Sequence, residues 1–279
     1  MSQAPPTSNA AKPNAWLAVF TLAQREWVRF VRQRNRVFGA IGQPLIFWLL
    51  FGAGLGPSFR LPGTTGNLSY REYFFPGSLI LILLFTAIFA TISIIEDRRE
   101  GFLQSVLVAP VPRWAMVFGK VLGGSLIALA QGLLFLLLGL TLGIRLSPLS
   151  FVATTGFLLV VSLALVSLGF MLAWQLDSTQ GFHAIMSVFL MPMWLLSGAF
   201  FPPGNDWLGW VIRFNPLTYS VAGLRRLLYW GASPELHAKA IPESLPSMSV
   251  CLLVTVLFAA VMFVGASLIA RRRTAIECV

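Results

Sequence analysis

A chain of 279 residues that is 57% hydrophobic and 11% charged, with a mean hydropathy of +0.78, carries more apolar surface than a water-soluble core of this size can hide. Its net charge of +10 is no argument for nucleic acid, because the basic residues collect on one side of the membrane topology derived below. Cys251, within an apolar run, and Cys278, in the tail, imply no disulfide framework; no His, Cys or carboxylate cluster has metal-ligand spacing, and no Ser, His and Asp set can be assembled into a triad. Catalytic, cofactor-binding and metal-binding residues are therefore not expected.

Residues 1–13 read as a disordered tail, and their polar character without a basic segment leading into an apolar one argues against a cleaved signal peptide. Residues 14–36 have a helical period. Trp16, Val19, Phe20, Ala23, Trp27 and Phe30 fall on one side, with Arg25, Arg29, Arg32 and Arg36 opposite, so this helix is expected to lie on a membrane surface with Asn14 as its N-cap.

Six apolar spans fill residues 37–270: Val37 to Leu55, Gly77 to Ile95, Ala115 to Ile144, Phe151 to Trp174, Gly181 to Phe201 and Met248 to Ala270. The third is too long to cross perpendicularly, so its basic end, Arg113 and Lys120, is expected to project into the cytosol. Residues 271–279 form a basic tail. Twelve Lys and Arg fall on the side of the first helix (Lys12, Arg25, Arg29, Arg32, Arg34, Arg36, Arg98, Arg99, Arg113 and Arg271 to Arg273) against seven on the other, which puts both termini in the cytosol.

Between spans two and three stands "EDRREGFLQSVLVAPVPRWAMV". Glu96, Asp97, Arg98, Arg99 and Glu100 should hold this segment in water. A short helix from Phe102 to Ala109 then gathers Phe102, Leu103, Val106 and Leu107 on one arc, with Gln104 and Ser105 elsewhere, before Pro110 and Pro112 end it. A greasy cytosolic face needs a cover, and a soluble partner is preferred to another part of the chain. In spans four and five, Asp177 and His183 read as interfacial polar residues, and Thr155, Ser162 and Gly169 as helix-packing positions. The segment from Pro202 to Ser247 holds two amphipathic pieces carrying Trp207, Trp210 and Tyr219, broken at Asn215 and Pro216, and belongs at the outer interface.

These stretches resemble the permease subunits of type-2 ABC exporters, near the drug-resistance and lipo-oligosaccharide (nodulation-factor) branch. "EDRREGFLQSVLVAPVPRWAMVFGKVL" is similar to their first cytoplasmic loop, "LSGAFFPP" to the end of their fifth span and "NPLTYSVAGLRRLL" to the outer segment before their sixth. The resemblance covers nearly the whole chain from Trp16. It implies an all-α membrane fold with a connecting helix at the start, a coupling helix at Phe102 to Ala109 that docks on an ATP-binding subunit, and an outer re-entrant pair from Asp206 to Trp230. It further implies two permease copies in the bilayer, identical or not, with two ATPase subunits that bind the ATP and magnesium. The cargo it leaves open: an amphiphilic drug, a lipid or a lipid-linked glycan.

The residues agree independently in one respect. No GxxxxGK[ST] stretch exists, and the only Gly-Lys pair, Gly119 and Lys120, is followed by Val121 in an apolar helix, so ATP hydrolysis is expected in another chain. The alternatives are an ion-coupled carrier, which would need ionisable groups at mid-membrane that the spans do not supply, and a membrane scaffold.

Overall fold

The computed structural model describes residues 14–55, 69–144, 146–200, 207–231, 237, 240–242 and 245–272. The expected tail at 1–13, residues 201–206, most of the basic tail with Cys278, and Arg60, Arg145 and Lys239 lie outside the described residues. Among those described, regular secondary structure is helix only: α1 (Ala15–Arg32), α2 (Arg34–Gly54), α3 (Tyr70–Arg99), α4 (Phe102–Val108), α5 (Arg113–Leu136), α6 (Pro148–Gln175), α7 (Thr179–Trp194), α8 (Trp207–Phe214), α9 (Pro216–Leu228) and α10 (Met248–Arg272). Six of them, α2, α3, α5, α6, α7 and α10, are long and apolar enough to cross a membrane. The chain is an all-α, multi-pass membrane protein.

The helix starts are set locally. Asn14 accepts from the Trp16 and Leu17 amides, as the sequence indicates, and Ser69 forms a reciprocal capping box with Glu72. Ser147 precedes Pro148 and Asn215 precedes Pro216, two N-caps each followed by a proline that has no orphan N–H to satisfy. The overlong third span is resolved by a change of helix type: α5 tightens into a 3-10 stretch at Leu137–Leu142 and stops at Gly143, whose φ of +74° favours glycine.

α3 is apolar all round and lies at the centre, enclosed by α2, α5, α6, α7 and α9, with nearly every side chain from Tyr73 to Ile95 buried. The outer helices bury only one side. α10 packs on α6 and α9 and turns Leu253, Leu257, Val261 and Val264 outward, where acyl chains would meet them. Of the sevenfold positions in α6, Gly169 serves close packing: a Cβ there would lie 2.8 Å from the Thr91 hydroxyl of α3.

α1 departs from a simple surface helix. Its predicted apolar face splits in two. Val19, Ala23 and Phe30, joined by Leu22 and Glu26, are buried, whereas Trp16, Phe20 and Trp27 stay exposed. The buried edge lies on α5 at glycine positions: a Cβ on Gly119 would come within 2.9 Å of Leu22 Cβ, and one on Gly123 within 3.0 Å of Ala23 Cα. Helix backbones approach this closely only where one side chain is missing.

Gly123→Val should therefore push α1 off α5 and destabilise the protein by about 1–3 kcal/mol, read as a lower melting temperature in detergent. Gly156→Ala, at a helical glycine with nothing within 4 Å of the added Cβ, should leave it unchanged or slightly raised. Equal effects of the two would contradict the close α1–α5 approach.

Candidate functional site: the charged end of the bundle

The five consecutive ionisable residues do not form a solvated loop. The second span runs on as helix through Arg99, with Glu100 as its C-cap and Gly101 in the left-handed conformation at φ +76° that ends many helices. Successive helical residues point about 100° apart, so a run of charges at a helix end radiates toward several neighbours at once. Each member of this run has a different address.

Asp97 points inward and is 0% exposed. Its carboxylate accepts from Arg25 at 2.6 and 3.0 Å in a bidentate pair, from Arg29 at 2.5 Å, and from the Lys120 ammonium. Lys120 also donates to Glu26 at 2.8 Å. Glu96, on the next side, accepts from Arg29 at 2.7 Å and from Arg36, while Glu100 stands 3.5 Å from Arg29. Four cations thus meet four carboxylates contributed by α1, α2, α3 and α5, and the charges balance. Burial works against the Arg25 charge, but Asp97, Glu26 and Glu100 outweigh it and hold the guanidinium above its usual range.

Lys120 consequently does not project into the cytosol as its position near a span end suggested. Its side chain is 2% exposed because Glu26 and Asp97 compensate the charge where water is excluded. Glu96 is likewise no freely exposed ion. Glu26 is the member not named from the sequence, and Lys120 the one placed elsewhere. The signal was available: each is a lone charge on an otherwise apolar helix edge, Glu26 between Leu22 and Phe30, and Lys120 between Gly119 and Gly123.

Arg98 and Arg99 turn the other way. Arg98 donates to the carbonyls of Trp174 at 2.6 Å and Leu176 at 3.3 Å, groups left without helical partners where α6 ends, and pairs with Asp177 at 2.8 Å. Arg99 donates to the Asp177 carbonyl at 2.7 Å. Asp177, with a largely exposed side chain, is thus tied to the end of α3.

The greasy arc of α4 rests in part on the chain's own core. Leu103 is buried, Phe102, Val106 and Leu107 pack partly buried on the chain's own core, and the Arg25 guanidinium lies 3.7 Å above the Phe102 ring. The arc expected from the spacing is thus present, seated in part against the end of α3 and, through Arg25, against α1. Gln104, Ser105 and Val108, the last 86% exposed, remain outward, and the extended Ala109 ends the helix before Pro110.

At the opposite end, Asn215 and Pro216 join α8 and α9 as anticipated. Asn215 caps α9 and donates to the carbonyls of Met193 and Leu196, where α7 passes into a π-turn at Leu195–Ala199. The Tyr219 hydroxyl donates to the Arg213 carbonyl at 3.0 Å, and Trp207 and Trp210 are exposed. Arg225, buried, donates to the Tyr73 carbonyl and lies over its ring.

Removing one member of the Asp97 cluster strands the others in a dry site, which typically costs about 3–5 kcal/mol, more than removing both partners. Asp97→Asn and Lys120→Met should each lower the melting temperature clearly, and the double variant should lose less than the sum. Strictly additive losses in this thermal double-mutant cycle would show that the two groups are not coupled.

The profile of the ABC-2 type transporter family matches residues 18–229, a stretch that contains α4, the Asp97 cluster and the α8–α9 pair. The chain is 29% identical to "Putative transport permease ycf38" of Cyanophora paradoxa over 214 residues, covering 75% of this chain and 73% of that one. It is 26% identical to Nodulation protein J of Azorhizobium caulinodans over 272 residues, 92% and 96% of the two chains. To the Inner membrane transport permease YadH of Escherichia coli K12 it is 28% identical over 221 residues, 75% and 82%. A bundle of six apolar helices matched over most of its length by this family makes the chain a transport permease of the ABC-2 type transporter family.

Proposed function

We propose that this chain is the membrane half of an ATP-driven exporter. Two copies of a separate ATP-binding subunit, carrying the ATP and magnesium, work on two permease copies that form the path between them. One observation carries the reading. The outward edge of α4 is joined through Phe102 and Arg25 to Asp97, and so to α1, α3 and α5 together. A push on α4 is therefore delivered to three helices rather than dissipated in a flexible loop. The charged end is the cytosolic one, where a soluble ATPase has access, and both termini lie there with it. The α8–α9 pair is then the outer re-entrant element.

The cargo is an amphiphile. The middle of the six spans holds no ionisable side chain, which suits a molecule with a large apolar part and disfavours the ion-coupled alternative. Lys120, of the only Gly-Lys pair, is engaged by carboxylates, in keeping with nucleotide chemistry residing in a partner.

Val108→Asp tests the docking edge, since a side chain this exposed can change without disturbing the core. The variant should insert and melt like the wild type but lose about tenfold or more of its capture of the ATPase subunit from the neighbouring reading frame, and its transport with it. Unchanged capture and transport would overturn the reading. For orientation, Pro5→Cys and Ala275→Cys should resist an impermeant thiol reagent in intact cells while Thr64→Cys reacts, in a background lacking Cys251 and Cys278; labelling at position 5 would invert the topology.

A further inference from the structure

The polar side of α1 borders an open groove of about 620 Å³ lined by Thr21, Gln24, Arg25, Arg29, Arg32 and Glu100, among others. Its charges are not alike. Arg25 and Arg29 are committed to the buried carboxylates, whereas Arg32 is exposed and no ion pair is formed by it among the described residues. A cation without a counterion, set near the Gln24 amide in a concave site, is complementary to a phosphate.

The neighbouring surface says where that phosphate comes from. At about 100° per residue, Trp16, Phe20, Trp27 and Val31 form a stripe directly beside the Gln24, Thr21 and Arg32 stripe, and all four are exposed. An aromatic stripe on a helix seated against a membrane bundle belongs at the boundary of acyl chains and headgroups. We propose that this groove binds the headgroup phosphate of an anionic phospholipid, with Arg32 as its main ligand and the acyl chains lying along Trp16, Phe20 and Trp27. Glu100, at the rim and 61% exposed, opposes the bound anion. The lipid is thereby placed on the helix that the Asp97 cluster holds. This site rests on the position of α1 at the membrane boundary and not on the identity of the ATPase or cargo.

The test is native mass spectrometry of the purified full-length chain, titrated with phosphatidylglycerol or with phosphatidylcholine of the same acyl chains. The wild type should retain the anionic lipid about fivefold better. Arg32→Gln should bring the two lipids level without changing the melting temperature, and Glu100→Gln should raise retention of the anionic one, an opposite sign that a folding defect would not produce. Equal retention of both lipids by the wild type, or an unaltered preference in Arg32→Gln, would overturn the proposal. So would displacement of the lipid by millimolar inorganic phosphate, which marks a soluble-anion site. An Arg32→Gln variant that keeps its lipid but loses ATPase capture would instead mark the groove as a protein-docking surface and equally overturn the lipid assignment.

Discussion

The charged end of this permease depends on one carboxylate with no access to water. Asp97 draws Arg25 and Arg29 from α1 and Lys120 from α5 to a single point at the end of α3, and a buried charge so placed leaves little freedom of arrangement. Each cation would be costly to bury without it, and it would be costly to bury without them. Replacing such a cluster by well-packed apolar groups can yield equal stability, so its value here lies in register: charges pair at one setting of the three helices, whereas apolar surfaces tolerate sliding.

The close packing of α1 follows from that register. Lys120 lies in the turn between Gly119 and Gly123, so the side chain that fixes α1 electrostatically projects from the same stretch of α5 that lets the two backbones approach. α4 inherits the arrangement, because Phe102 is held beneath Arg25 and Leu103 is buried in the core. Arg98 adds a separate tie to the end of α6. At the far end the connections run to backbone carbonyls: the Tyr73 hydroxyl donates to Gly198 at 2.9 Å, the Trp194 indole to Gly77 at 2.9 Å and the buried Arg225 to Tyr73 at 3.0 Å. The two ends are thus built from different contacts, ion pairs between side chains at one and hydrogen bonds from side chains to backbone carbonyls at the other.

The parts legible in the sequence are those governed by local rules. Hydropathy located six spans, the Asn14 cap and the Asn215–Pro216 break could be named from residue type, and the α4 arc was drawn correctly from its spacing. Contacts between helices distant in sequence were not legible. Glu96 to Glu100 read as a hydrated knot because five charges beside an apolar run usually face water; that the run is helical, and its charged partners 23 to 79 positions away, depends on tertiary packing. The same limit hides the seat of α4 on the end of α3 and beneath Arg25. Glu26 on α1 and Lys120 on α5 each contradict their apolar surroundings, and that contradiction was the available hint of mutual compensation.

The most direct measurement of the central claim is amide hydrogen exchange on the intact protein in nanodiscs, comparing wild type with Asp97→Asn. If Asp97 is what holds α1, amides of residues 15–32 should exchange about tenfold or more faster in the variant while those in the middle of α6 keep wild-type protection. Unchanged protection of α1 would contradict the account and show that the other ion pairs and the apolar contacts with α5 hold that helix without Asp97.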